Sequence, residues 1–367
     1  MHILHQPNES PKTKTLPYHR QLRLSRDELL QLTQQTATLL QAGMALPLAL
    51  RVFRDGQRRS SAKSLLTALE LELSRGQSLS TALSAFPKTF DSLFQRLVAV
   101  GESSGTLEQT FQHLAELLQR QKLLRQKTRQ ALIQPTAILV VACAVTTLLL
   151  LQVVPEFQQL FNQFGRDLPK LTLSVINFSN GLQTHGLGVA TLLASVFLTA
   201  QYGVRQHQPT RLFAHTLLLR LPVLGQLVTH RCIASIARTL ATSLSAGLPI
   251  MEALDFARSA PSNLVYAQAT RVTAQAVQRG SNLHSALYTT RCFPNLFVQM
   301  ITVGEQSGML DAMLLGAAKH YESCFDVAID RLIPLLEPAM MVMLGGLVGI
   351  LMLAMYLPLF QMGSVLG

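Results

Sequence analysis

An all-α fold is what this chain predicts: two repeated cytoplasmic helical bundles of about six helices each, carried with three transmembrane helices. Three observations lead there. Charged residues are 14% of the 367 positions, against roughly 25% in an ordinary soluble domain, and they are missing altogether from three long stretches. Outside those stretches the apolar residues recur at three- and four-residue spacing, with no strand-like alternation. The second half of the chain also repeats the first.

The charge-free stretches run over residues 130–155, 171–204 and 338–367. A helix that crosses a bilayer needs about 20 apolar residues. Spans are therefore expected at 135–154, 187–204 and 338–358. The first half of the middle stretch carries Ser174, Asn177, Ser179, Asn180, Gln183 and His185, too polar for hydrocarbon, so the second span takes its later half. Residues 1–24 form an N-terminal tail with basic residues but no apolar run, unlike a secretory leader.

The net charge of +11 reads as a topology signal. Residues 1–134 hold 18 Lys/Arg against 10 Asp/Glu, and residues 205–337 hold 11 against 8. Residues 155–186 are neutral. Basic segments stay on the cytoplasmic side. Bundles at 25–134 and 205–337 are thus expected inside, with 155–186 and the C-terminal 359–367 in the periplasm. The same charges argue for contact with anionic lipid. They do not argue for nucleic acid: Trp is absent and aromatics are 6%, a poor supply of stacking platforms.

The repeat is read by offset. Leu40-Gln-Ala-Gly43 recurs as Leu244-Ser-Ala-Gly247, Gly76 as Gly280, and Ala82-Leu83 as Ala286-Leu287. After one net deletion Gly101-Glu102-Ser-Ser104-Gly105-Thr-Leu107 recurs as Gly304-Glu305-Gln-Ser307-Gly308-Met-Leu310, and Pro135 as Pro338. The unit is a polar domain followed by a span. Two direct copies would face opposite sides of the membrane; the unpaired middle span returns the second to the side of the first.

Within the first copy, Ser25-Arg-Asp-Glu28 is a capping box that opens a helix, and Gly43 ends it. Pro47 suits the first turn of a second helix. A third spans 62–74 and ends at Gly76. Ser78, matched by Asn282, caps a short fourth. A fifth covers 92–100, and a sixth starts near Thr106 and reaches at least Arg129. The Gly-Glu-x-Ser-Gly segment joins the last two. Its glycines, Gly101 and Gly105 with Gly304 and Gly308, are expected to supply backbone angles closed to other residues, and Ser104 and Ser307 to cap the following helices. Glu102 and Glu305 have two readings. They contact a partner, or they accept backbone hydrogen bonds and hold the turn, the commoner role for such an acid.

These residues resemble the polytopic platform protein of type II secretion and type IV pilus assembly, the F protein or PilC family. The likeness rests on Leu-x-x-Gly-x-x-x-x-x-Ala-Leu at 40–50 and 244–254, Gly-x-Ser/Asn-Leu-x-x-Ala-Leu at 76–83 and 280–287, and both Gly-Glu-x-Ser-Gly-x-Leu segments. It covers nearly all of the chain beyond residue 25. Gln134 stands before Pro135 where the family usually has an aromatic. The resemblance implies an inner-membrane platform that is not an enzyme and couples a separate cytoplasmic ATPase to pilin or pseudopilin subunits. It also implies other inner-membrane platform components and self-association into a homo-oligomer.

The residues themselves agree with a non-enzymatic role. No Gly-x-x-x-x-Gly-Lys-Ser/Thr loop and no H-E-x-x-H occur, no CxxC pair exists, and no cofactor or metal is expected. A membrane transporter subunit is the alternative, weakened by spans without Asp, Glu, Lys or Arg. Other candidates remain. Glu337, beside Pro338 and matched by Gln134, touches a neighbouring helix or pilin, or reaches headgroup water. Gly345 and Gly349 share a helix face that favours close packing within the chain, or self-association. Arg51, Arg54 and Arg58 are spaced along one expected helix, opposite the Leu46, Ala49, Leu50 and Phe53 stripe. They form an exposed patch for an acidic partner surface, or a solvated face.

Overall fold

A computed structural model describes residues 22–156 and 208–363, together with residues 159 and 170–181 and isolated positions between 184 and 195. Every element among these residues is helical. The second expected span, 187–204, falls almost wholly outside them, as do most of the N-terminal tail and residues 364–367.

The first copy contains α1 (Arg26–Gln41), α2 (Leu46–Asp55), α3 (Ser60–Ser74), α4 (Leu79–Ser84), α5 (Ser92–Ser104) and α6 (Leu107–Leu148). Local chemistry sets most of the boundaries. Ser25 Oγ accepts from the N–H of Glu28 while the N–H of Ser25 donates to Glu28 at 2.6 Å, so the capping box is closed. Burial works against the charge of Glu28, but Ser25 and the nearby Arg59 outweigh it and hold the carboxyl below its ordinary range. Pro47 lies in the first turn of α2. Ser78 and Asp91 cap α4 and α5 by accepting from Thr81 N and Phe94 N.

Helix α6 runs unbroken through Pro135 and passes into a single π-helical turn, Leu149–Val153. Proline has no N–H to donate to the preceding turn. Residues 170–181 form α7. The second copy follows with α8 (Gln208–Arg220), α9 (Pro222–Ser245), α10 (Ile250–Ser259), α11 (Leu264–Gln278), α12 (Leu283–Thr289), α13 (Asn295–Ser307) and α14 (Leu310–Gly363).

The chain divides into two compact units. One comprises Met1–Lys122, Ile233–Ser262 and Tyr266–Lys319 in their described residues, and so holds the helical heads of both copies. The reason lies in its packing. The core of the first copy is built on Leu65, Leu66, Leu69, Phe86, Phe90, Phe94, Leu97 and Leu114, and it takes in Leu248 from the second copy, with Ala246 and Phe256 against it. Phe94 stands edge-on to Phe111 at 6.3 Å. The second copy buries Ile233, Ile236, Phe297 and Ile301, with Phe293 stacked on Phe297 at 5.5 Å. Phe90 and Phe297 are wholly buried; truncating either to alanine costs about 3–5 kcal/mol.

The other unit comprises Leu123–Cys232, Asn263–Val265 and His320–Gly367 in their described residues. Here α6 and α14 meet through Ala131, Phe325 and Ile329, and Lys127 pairs with Asp326 at 2.8 Å. Further along, Leu150, Val154, Ile176 and Leu351 form an apolar cluster. Thr172 Oγ1 donates to the carbonyl of Ala354 at 2.6 Å, and Ser179 Oγ to that of Leu150. Such hydroxyl bridges hold helices together where apolar burial gives no preference between protein and lipid. Two continuous helical runs, Leu107–Glu156 and Leu310–Leu357, are long and apolar enough to cross a membrane.

Candidate functional site

The matched Gly-Glu-x-Ser-Gly segments are the most built feature of the first unit, and each acts at a distance along the chain. The N–H groups of Leu79 and Ser80 donate to the two oxygens of Glu102 at 2.6 and 3.2 Å, and Ser80 Oγ adds a third bond at 3.1 Å. In the second copy Leu283 N and His284 N donate to Glu305 at 2.6 and 2.9 Å, and His284 Nδ1 lies 2.6 Å from the same carboxylate. Each glutamate therefore sits on the first turn of the short helix that begins about 22 residues earlier. Free N–H groups and the helix dipole favour an anion there. A six- or seven-residue helix is too short to hold itself in water. The clamp ties it to the longer α5 or α13. Burial pushes the Glu305 carboxyl up, but the bonds from His284 and Leu283 outweigh it and leave the group below the ordinary carboxylate range.

The glycines divide into two kinds. Gly105 and Gly308 end α5 and α13 at φ +73° and +71°, a left-handed conformation that costs a side-chain-bearing residue about 1–2 kcal/mol. Gly43, Gly76, Gly247 and Gly280 adopt positive φ too. Gly101 and Gly304 do not: they are buried inside α5 and α13, against the expectation of special backbone angles. Their requirement is space. A Cβ on Gly101 would lie 2.2 Å from Thr110 Oγ1, and one on Gly304 would lie 3.0 Å from the Leu310 backbone. The helix on each side of the turn crosses the other at the glycine. Ser104 and Ser307 also depart from expectation. Each belongs to the last turn of the preceding helix, and its hydroxyl donates back to Val100 or Val303; forward, Ser104 Oγ meets only Thr106 Oγ1 and Ser307 Oγ accepts only a long bond from Met309 N at 3.4 Å.

The arginine patch is smaller than the spacing suggests. Helix α2 ends at Asp55, so Arg58 lies in the following loop and not on the helix. Arg54 is half-buried and is held by Glu70 at 2.5 Å and Asp55 at 2.8 Å. Only Arg51 and Arg58 remain as exposed charges of the proposed three. Across the two copies, Arg96 donates from Nε and an amino group to both oxygens of Glu252, at 2.7 and 2.9 Å. This pair escaped the sequence reading. Arg96 is matched by Gln299 and Glu252 by Leu48, so the repeat carries no trace of it.

In the second unit, Gln134 and Pro135 on α6 face Leu336, Glu337, Met340 and Met341 on α14 across a cleft of about 100 Å³. The matched segments before Pro135 and Pro338 thus meet, with the Glu337 carboxylate as the one ionisable group of the lining; Pro338 follows it in α14 as an exposed residue. Gly345 and Gly349 have nothing within 4 Å of a built Cβ. Among the described residues no other part of the chain packs closely on these two glycines. No group of three His, Cys, Asp or Glu able to hold a metal occurs among the described residues.

Comparison with known proteins gives a consistent result. The family model described as Type II secretion system (T2SS), protein F matches residues 32–155 and again residues 236–358. The chain is 38% identical over 338 residues to a type IV pilus assembly protein PilC of Pseudomonas aeruginosa, covering 91% of this chain and 90% of that protein. It is 40% identical to a type 4 fimbrial assembly protein PilC of Pseudomonas putida, over 91% and 83% of the two chains. To a type II secretion system protein F of Vibrio cholerae it is 30% identical, over 94% and 84%.

Proposed function

Because the chain belongs to the type II secretion system protein F family, we propose that it is the multi-pass inner-membrane platform of a filament-assembly machine in a bacterial cell. It couples a separate cytoplasmic ATPase to the polymerisation of pilin or pseudopilin subunits, together with other membrane components and further copies of itself. The observation that carries this reading is the double match of the family model, one per copy, joined to near full-length identity with pilus assembly proteins. Identity is higher to the two Pseudomonas pilus relatives than to the Vibrio secretion relative, which favours a pilus over a secretion machine.

The fold suits a transmitter of motion. A core that takes in Leu248 and a bidentate Arg96–Glu252 ion pair join both copies in one unit, so a push on either copy loads the other. The coupling reading needs no catalytic group in this chain. Deletion of the gene, scored together for surface filaments, protein secretion and solute uptake, tests it. Loss of filaments with normal uptake is expected; lost uptake with intact filaments and secretion would return the chain to the transporter class.

A further inference from the structure

The second unit carries a groove that neither assembly nor the clamp accounts for. It is lined by Arg125, Arg129 and Arg231 at one end and by Leu132, Ile133, Ala137, Val140 and Val141 beyond, with a volume of about 740 Å³. The α6 residues recur at four-residue spacing, so they form one face of the helix. Arg129 directly precedes the charge-free run that starts at residue 130, and Arg125 stands one turn before Arg129, at the depth where headgroups begin. Arg231 reaches the same place from α9.

The charges of this end are unspent. Lys127, between the two α6 arginines in sequence, is neutralised by Asp326. Arg125, Arg129 and Arg231 have no carboxylate partner among the described residues. Thr128 and Thr136 also line the groove, but their hydroxyls donate to the carbonyls of Leu124 and Leu132, which leaves the guanidinium groups as the side-chain donors. Below them Leu132, Ile133, Val140 and Val141 are 56–62% exposed. From Arg129 to Val141 the helix rises about 18 Å, close to half of the roughly 30 Å hydrocarbon thickness of a bilayer.

The geometry points to a specific site for an anionic phospholipid. Its phosphate is held among Arg125, Arg129 and Arg231, and an acyl chain lies along Leu132, Ile133, Ala137, Val140 and Val141. An acidic peptide or a nucleotide would use the arginines and make no use of the apolar wall. A neutral lipid or an apolar partner helix would cover the wall and leave three cations unpaired. An amphiphile with an anionic head matches both ends of the groove.

The full chain, purified in detergent, can be titrated with dioleoyl-phosphatidylglycerol or dioleoyl-phosphatidylcholine and the bound lipid counted by native mass spectrometry. The wild type should take up one phosphatidylglycerol in preference to phosphatidylcholine. Each arginine near a membrane surface is worth about fivefold in affinity for anionic lipid. Arg231→Gln should thus lose about fivefold, and the triple change of Arg125, Arg129 and Arg231 to Gln roughly a hundredfold. Changing Arg51, Arg58 and Lys63 to Gln removes equal charge elsewhere and should leave uptake unchanged. Ala137→Phe keeps every charge, fills the apolar part and should weaken uptake, which keeps the site testable if the triple variant does not fold. Equal loss in both triple variants would mean diffuse attraction and overturn the site. So would a wild type without preference for phosphatidylglycerol, or an Ala137→Phe chain that binds as before.

Discussion

Removing the carboxylate of Glu305 is the perturbation that most directly tests what the repeated motif does. In Glu305→Ala two N–H groups at the start of α12 and the His284 ring lose their acceptor. Loss of a helix cap costs about 0.5–2 kcal/mol, and each hydrogen bond to a charged group about 1.5–3 kcal/mol. The Glu305 side chain is 23% exposed, so water replaces part of what is lost, and the net is taken as about 2 kcal/mol. For a unit of roughly 200 residues this lowers the melting temperature by about 4–8 °C. With no Trp in the chain, circular dichroism of the full chain in detergent, at one scan rate, is the suitable readout.

The pH dependence follows from the lowered carboxyl. A group whose folded pKa lies below its unfolded value stabilises fully above that unfolded value, about 4.3 for Glu, and the contribution fades as the pH falls through and below it. The gap between wild type and Glu305→Ala should therefore be full near neutrality and shrink as the pH falls below the ordinary carboxylate range. A gap under about 1 °C at neutral pH, or one that persists undiminished in acid, would refute the clamp. A variant of wild-type stability that fails to assemble filaments would instead make Glu305 a contact to a partner.

The remaining predictions address space, charge, the Gly345 helix face and topology. Gly101→Ala drives a Cβ into Thr110 and should cost about 1–3 kcal/mol by denaturation, whereas Gly304→Ala, with its nearest neighbour at 3.0 Å, should cost less. Arg51→Glu with Arg58→Glu should reduce capture of the cognate ATPase at low salt with the melting temperature unchanged; capture equal to wild type would leave these arginines as solvated charge. Gly345→Leu should weaken self-association in a membrane two-hybrid assay at equal protein levels, and unchanged association removes this face from the interface. An external-activity reporter should be silent at Ser61 and Ser262 and active near Thr172 or Gly367, and activity at Ser262 would overturn the proposed arrangement.

Much of this protein is determined by short-range sequence, because the physics involved is short-range. A run without charges marks a span wherever it folds, since hydrocarbon rejects ions regardless of context. Ser25, Pro47, Ser78 and Gly105 set helix ends through contacts within a few residues, and the duplicated motifs are visible by offset alone. What only the tertiary structure decided involves partners far apart in the chain. Glu102 was legible as an acceptor of backbone bonds, but not as the acceptor for α4, 23 residues earlier. Gly101 and Gly105 look alike in the sequence. One is required by the approach of Thr110 and the other by its own dihedral angle. Arg54 and Arg51 carry the same charge on the same helix, yet Glu70 on α3 occupies only the first. The basic end of α6 shows the same division: Asp326 spends the charge of Lys127, while Arg231, about a hundred residues further along, joins Arg125 and Arg129 at the mouth of an apolar groove. Propensity and hydropathy act over a turn or a span, but the meaning of a side chain depends on which atoms long-range packing brings within about 3 Å of it.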